Sequence, residues 1–162
     1  MNDDAALAIV WHSRTGASQA MAEAVAQGAG GAARLVPAAS ASPEIYFQSR
    51  GYVFVCPENL GSMSGMMKDM FDRCYYPVLG AVEGRAYATA IAAGSDGRGA
   101  ESQIDRIVKG WRLRRVADPM IVNLDAQTPE AILAAKTVPA SALDACRELG
   151  AAMAEGLRLG IF

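Results

Sequence analysis

Three stretches of this 162-residue chain combine glycine, small hydroxyl residues and isolated charges in a way that suits the binding of an anion or a flat heterocycle. The first is Ser13-Arg14-Thr15-Gly16-Ala17-Ser18, which follows the apolar run "ALAIVW" and leads into a helical pattern through Met21 and Val25. A helix start presents N–H groups without intrahelical partners and the positive end of the helix dipole, and three hydroxyls can add hydrogen bonds around a terminal phosphate. The stretch lacks the lysine of Gly-x-x-x-x-Gly-Lys-Ser/Thr, so a monophosphate suits it better than a triphosphate. The competing interpretation is an ordinary turn in which Thr15 or Ser18 caps the helix.

The second stretch, Pro57-Glu58-Asn59-Leu60-Gly61-Ser62-Met63, follows "YVFVC" and runs through Ser64 and Gly65 into a methionine-rich helix. Its glycine can bring backbone N–H and C=O groups against a heterocycle, and Leu60 and Met63 could cover the faces of one. The third, Gly94-Ser95-Asp96-Gly97-Arg98-Gly99, follows "AYATAIAA"; taken alone it is equally a surface turn. A fourth stretch, "GAGGAA" at 28–33, matches Gly-x-Gly-x-x-Ala, but it follows a helix and precedes a strand, so it is a helix C-cap and turn and not a dinucleotide site.

The elements around these stretches alternate. Strand-length apolar runs stand at 6–11, 33–37, 52–56, 86–93 and 119–124, several of them apolar throughout, as strands covered on both faces are. Between them, Met67, Met70, Phe71 and Cys74 share one helical stripe, as do Ile104, Ile107, Val108 and Trp111. A final helix carries Leu143, Cys146, Leu149, Met153 and Leu157, opened by Ser141 with Asp144 as a capping-box-like pair. Short helices are expected at Pro43 and over 128–136, the latter with Thr128 as N-cap and Pro129 at the first helical position, placed as an edge decoration. The pattern predicts one α/β domain over 1–162, with a five-stranded parallel sheet in the order 2-1-3-4-5 and right-handed crossovers. In such a sheet ligands sit beyond the carboxyl ends of the strands where the order reverses, and the three stretches all fall there.

Composition narrows the partners. The chain is 52% apolar and 20% charged with a formal net charge of −2, which gives a soluble core-forming protein and no basic surface for nucleic acid. No apolar run approaches the roughly 20 residues of a spanning helix, and Met1-Asn2-Asp3-Asp4 is acidic where a signal peptide would be basic, so a cytoplasmic protein without a membrane partner is expected. Cys56, Cys74 and Cys146 are widely spaced and His12 is the single histidine, which argues against a disulfide framework or a metal site. A homo-oligomer is compatible with the sequence but has no signature in it.

"HSRTGASQAMAEAVAQGA", "PENLGSMSGMMKDMFDR" and "AGSDGRGAESQIDRI" resemble the three FMN-contacting loops of the flavodoxin-like superfamily, and the resemblance covers residues 6–125. It implies a flavodoxin-like three-layer sandwich in which residues 13–18 hold the FMN phosphate, Pro57 to Met63 border the isoalloxazine, and Ser95 to Gly99 close over its pyrimidine side, with Gly94 leading into them. The "GSMSGMMKDMFDR" segment is similar to the branch of NAD(P)H-dependent FMN reductases and NAD(P)H:quinone oxidoreductases. That branch implies NAD(P)H as co-substrate, a quinone or other small-molecule electron acceptor, and chemistry carried by FMN with no catalytic side chain. The alternative is a one-electron carrier that docks a redox partner. Neither candidate flavin loop holds an aromatic residue, Tyr75 and Tyr76 falling after the third helix; an uncovered flavin face would leave room for a second flat molecule and favours the enzyme.

Overall fold

The computed structural model describes residues 6–162. The acidic start of the chain, residues 1–4, lies outside them. Strands β1 (Leu7–Trp11), β2 (Ala33–Pro37), β3 (Gly51–Asn59), β4 (Ser62–Met63), β5 (Ala86–Ala93), β6 (Arg114–Arg115) and β7 (Met120–Asn123) alternate with helices α1 (Ala17–Ala29), α2 (Pro43–Gln48), α3 (Gly65–Val78), α4 (Arg98–Gly110), α5 (Pro129–Leu133) and α6 (Ala140–Leu159). Four parallel strands run in the order β2-β1-β3-β5, and the fifth position beside β5 is shared by β6 and β7. This is the expected order, with its last strand split.

The split coincides with two extra residues in the edge, since Arg115 lies opposite Tyr87 but Met120 opposite Ala90. β6 pairs with Ala86 and Tyr87 and β7 with Ala90 to Ala93, leaving a gap beside Ala88 and Thr89. Pro119 enters β7 without an N–H to donate. Arg115 fills the gap instead, its Nη1 donating to Thr89 Oγ1 at 3.0 Å while its guanidinium lies 4.8 Å from the centre of the Tyr87 ring.

Side-chain alternation along the buried strands divides the core in two. Ala8, Val10, Tyr52, Phe54 and Ile91 pack beneath α3 and α4, whereas Leu7, Ile9, Val53, Val55 and Ala88 pack beneath α1 and α6. Helices on both faces of a parallel sheet give the expected three-layer sandwich. The second layer depends on two glycines at the α1–α6 crossing: a Cβ on Gly28 would lie 1.8 Å from Arg147 O, and one on Gly150 would lie 1.9 Å from Val25 O. Gly28 therefore belongs to helix packing, while Gly30, at φ +61° and ψ −142°, is the C-cap of α1 expected of the "GAGGAA" stretch. Trp111 is buried, and Tyr75 and Tyr76 lie within α3 rather than beyond it. The α6 N-cap is Pro139 without a side-chain cap bond, so Ser141 does not form the expected capping pair, and Asp144 binds Arg147 instead.

Candidate functional site

The carboxyl ends of β1, β3 and β5 open into a cleft of about 660 Å³. That is within the usual range for a small-molecule or cofactor site, and it lies where the sheet order reverses. Of the residues singled out in the sequence, Ser13, Arg14, Thr15, Ala17, Ser18, Pro57, Glu58, Asn59, Leu60, Gly61, Gly94 and Ser95 line it. Gly16, Ser62, Met63, Asp96, Gly97, Arg98 and Gly99 are not among its lining residues.

The first stretch forms a tight turn. Gly16 is the N-cap of α1 at φ +97°, a conformation that favours glycine, and its N–H donates to Ser13 Oγ at 3.0 Å. Neither Thr15 nor Ser18 caps the helix. The first turn of α1 carries no acidic residue, and Ser18, 1% exposed and lining the cleft, has an Oγ without a hydrogen-bond partner. A buried hydroxyl without a partner beside the positive end of a helix is incomplete without an acceptor. An oxyanion is one.

The second stretch is a β-hairpin. β3 continues through Pro57, Glu58 and Asn59, and pairs with β4 at Glu58–Met63 and Asn59–Ser62. Leu60 and Gly61 make the turn at φ +56° and +74°, the positive values a two-residue hairpin requires. Met63 is buried in the core shared by α3 and α4 and so cannot cover a ligand, which corrects the expectation for that residue. Leu60 stands fully exposed at the tip.

The third stretch serves mainly to seat this hairpin. Glu58 Oε1 accepts the Gly97 N–H at 2.9 Å and Oε2 accepts the Ala100 N–H at 3.0 Å, so the N–H groups at the start of α4 are turned to β3. Gln103 Oε1 accepts the Met63 N–H at 2.9 Å. A Cβ on Gly99 would lie 2.0 Å from Gly61 O. Arg98, with a side chain 81% exposed, binds Asp96 at 2.8 Å, which holds the Asp96 carboxyl below its usual range and leaves the guanidinium compensated and outside the cleft. Only Gly94 and Ser95 of this stretch face the cleft.

Sequence reasoning missed six lining residues: Ala92 and Ala93 at the end of β5, and Leu124, Ala126, Ile132 and Lys136. α5, capped by Thr128 as expected, is no edge decoration, since Ile132 and the following Lys136 reach the cleft. Lys136 donates its N–H to Thr15 O at 2.9 Å. Directly after β1, His12 Nδ1 shares a 2.8 Å hydrogen bond with buried Ser64 Oγ, joining the chain just before the Ser13–Ser18 turn to the start of α3. Partial burial lowers the His12 pKa. Burial likewise pushes the neighbouring Cys56 thiol up to about 12, so it stays protonated. None of the lining residues among those described is aromatic.

No protein-family model and no curated protein sequence matches the chain. Solved structures do match in fold. An archaeal flavodoxin superposes with a TM-score of 0.75 at 16% identity, over 94% of this chain and 98% of that one. A WrbA-like flavodoxin from Agrobacterium tumefaciens gives 0.73 at 17% identity, over 94% and 97%. A flavodiiron core from Synechocystis gives 0.74 at 17% identity, over 97% of this chain and 37% of that one. The chain has the flavodoxin-like fold.

Proposed function

We propose that the cleft binds FMN and that the protein is an FMN-dependent oxidoreductase, passing a hydride from NAD(P)H to a quinone or another small acceptor. The observation that carries the cofactor is Ser18: its buried, unpartnered hydroxyl stands at a helix start free of acidic residues, in a cleft of suitable volume. The fit is physical as well as topological. Ser13 and Gly16 hold the turn, the first N–H groups of α1 and the hydroxyls of Thr15 and Ser18 suit a terminal phosphate, and the hairpin and Gly94–Ser95 border the space beyond it.

When bound, FMN supplies the hydride and electron chemistry. The chain's own residues orient it and set its surroundings. Leu60, Leu124 and Ile132 offer aliphatic contact without a stacked ring, leaving space against which a nicotinamide or a flat acceptor can lie. No side chain is required as nucleophile or base. Anaerobic addition of NADH or NADPH to FMN-loaded protein is expected to bleach the visible flavin absorbance, and a quinone to restore it.

The second reading is a one-electron carrier that docks a protein partner. Leu60 and Ile132, apolar and exposed at the cleft rim, favour it. Reduction by dithionite in one-electron stages, with no response to either nicotinamide, selects that reading.

A further inference from the structure

The segment between β7 and α6 is strapped across the cleft. Leu124 and Ala126 donate their N–H groups to Ala93 O at 2.8 Å and Gly94 O at 2.9 Å, which ties the front of the segment to the third stretch. Thr128 Oγ1 accepts the Ala131 N–H at 3.2 Å and starts α5. The far end is tied to the first stretch by the Lys136 N–H to Thr15 O. Both ends being fixed, the Lys136 side chain is delivered to the phosphate side of the cleft by the backbone rather than by chance on a mobile surface.

Its ammonium is incompletely used. Nζ donates to Ile132 O at 3.0 Å and Ala134 O at 2.6 Å, and an ammonium has three N–H donors. Arg14 Nη2 approaches the same Ile132 O at 3.4 Å. Among the described residues neither Lys136 nor Arg14 forms an ion pair, and the one carboxylate lining the cleft, Glu58, is engaged by the start of α4. Two uncompensated cations therefore flank a helix start whose buried Ser18 hydroxyl lacks a partner. A dianionic phosphate monoester matches that set: it accepts from the hydroxyls and N–H groups and balances both cations.

We infer that Lys136 is the specificity-determining residue of the cleft, a cation brought in by the strap that holds the terminal phosphate and selects phosphorylated over unphosphorylated flavin. This rests on the FMN reading above, and the test separates the two. Binding of FMN, riboflavin and inorganic phosphate is measured by flavin fluorescence and calorimetry for the wild type, Lys136→Gln and Lys136→Arg. Loss of one charged hydrogen bond to phosphate is expected to weaken FMN binding by Lys136→Gln about tenfold or more, with riboflavin unaffected. Lys136→Arg is expected to retain FMN selectivity, and added salt to weaken the wild type more than Lys136→Gln. Unchanged FMN affinity in Lys136→Gln, or equal losses for FMN and riboflavin, overturns the inference by reducing Lys136 to a cap on the α5 carbonyls. Inorganic phosphate bound by the wild type and lost in Lys136→Gln, with no flavin bound by either, supports the Lys136 assignment and overturns the FMN reading alone. A wild type that binds neither phosphate nor flavin overturns both.

Discussion

Glu58 of β3 and Gly97 at the start of α4 are joined by a 2.9 Å hydrogen bond from the Gly97 N–H to the carboxylate, and the other carboxylate oxygen takes the Ala100 N–H. One side chain thus serves as a remote cap for α4 and as the anchor of the hairpin that walls the cleft. Glu58→Ala leaves buried donors of Gly97 and Ala100 without partners and removes charged hydrogen bonds, a cost of about 2–3 kcal/mol. The expected outcome is a fall in Tm of roughly 4–12 °C by calorimetry. A change of less than one degree contradicts the anchoring role.

The glycines near the cleft are predicted to divide sharply. A Cβ on Gly99 meets the Gly61 carbonyl at 2.0 Å, backbone that can yield only by lifting the hairpin, whereas a Cβ on Gly65 meets nothing within 4 Å. Gly99→Ala is expected to cost about 1–3 kcal/mol and to weaken ligand binding, while Gly65→Ala is neutral or stabilising by about 0.4–1 kcal/mol. Parallel urea melts of the two variants check this, and equal behaviour defeats it.

His12 provides a pH prediction that its solitude makes clean. Its pKa in the fold lies below the ordinary histidine value because burial disfavours the imidazolium. The unfolded chain then binds the proton more readily, so the His12 contribution to stability is fully present above the ordinary value of about 6.5 and is lost as pH falls through the lower folded value. The single imidazole resonance should titrate below about 6.5 by NMR, and His12→Asn should flatten the stability profile on the acid side of neutrality. A midpoint above the ordinary value means that the 2.8 Å bond to Ser64 stabilises the charged ring instead.

How much of this was legible in the sequence depended on whether the cause was local. The turn at Ser13 to Ser18 could be read because a strand end, Gly16 and a helix start adjoin in the chain, and α5 because Thr128 and Pro129 mark its beginning. The hairpin was not visible: its pairing opposes Asn59 to Ser62 around a turn that forces Leu60, a residue with no preference for it, to positive φ. Gly97 and Gly99 looked like a cradle for a ligand, but their roles are set by Glu58 and Gly61, distant in sequence. Lys136 escaped for the same reason, since only the folded strap brings it beside Thr15.

The hydroxyls of Thr15 and Ser18 carry the proposed cofactor assignment, and Ser18 is the sharper probe because its Oγ has no other partner to lose. Removing that hydroxyl leaves the fold's own hydrogen bonds intact, so Ser18→Ala should melt at the wild-type temperature or slightly above it. A melt several degrees lower means that the hydroxyl is satisfied within the protein.

The central claim, that this cleft holds FMN by its phosphate at the start of α1, is tested most directly by calorimetric titration of the purified protein with FMN, beside the Thr15→Ala/Ser18→Ala double variant. The account predicts one FMN per chain for the wild type and, from the loss of hydrogen bonds to a charged group, a weakening of about tenfold or more in the double variant. FMN affinity equal in the two proteins, or no FMN bound by the wild type, contradicts it.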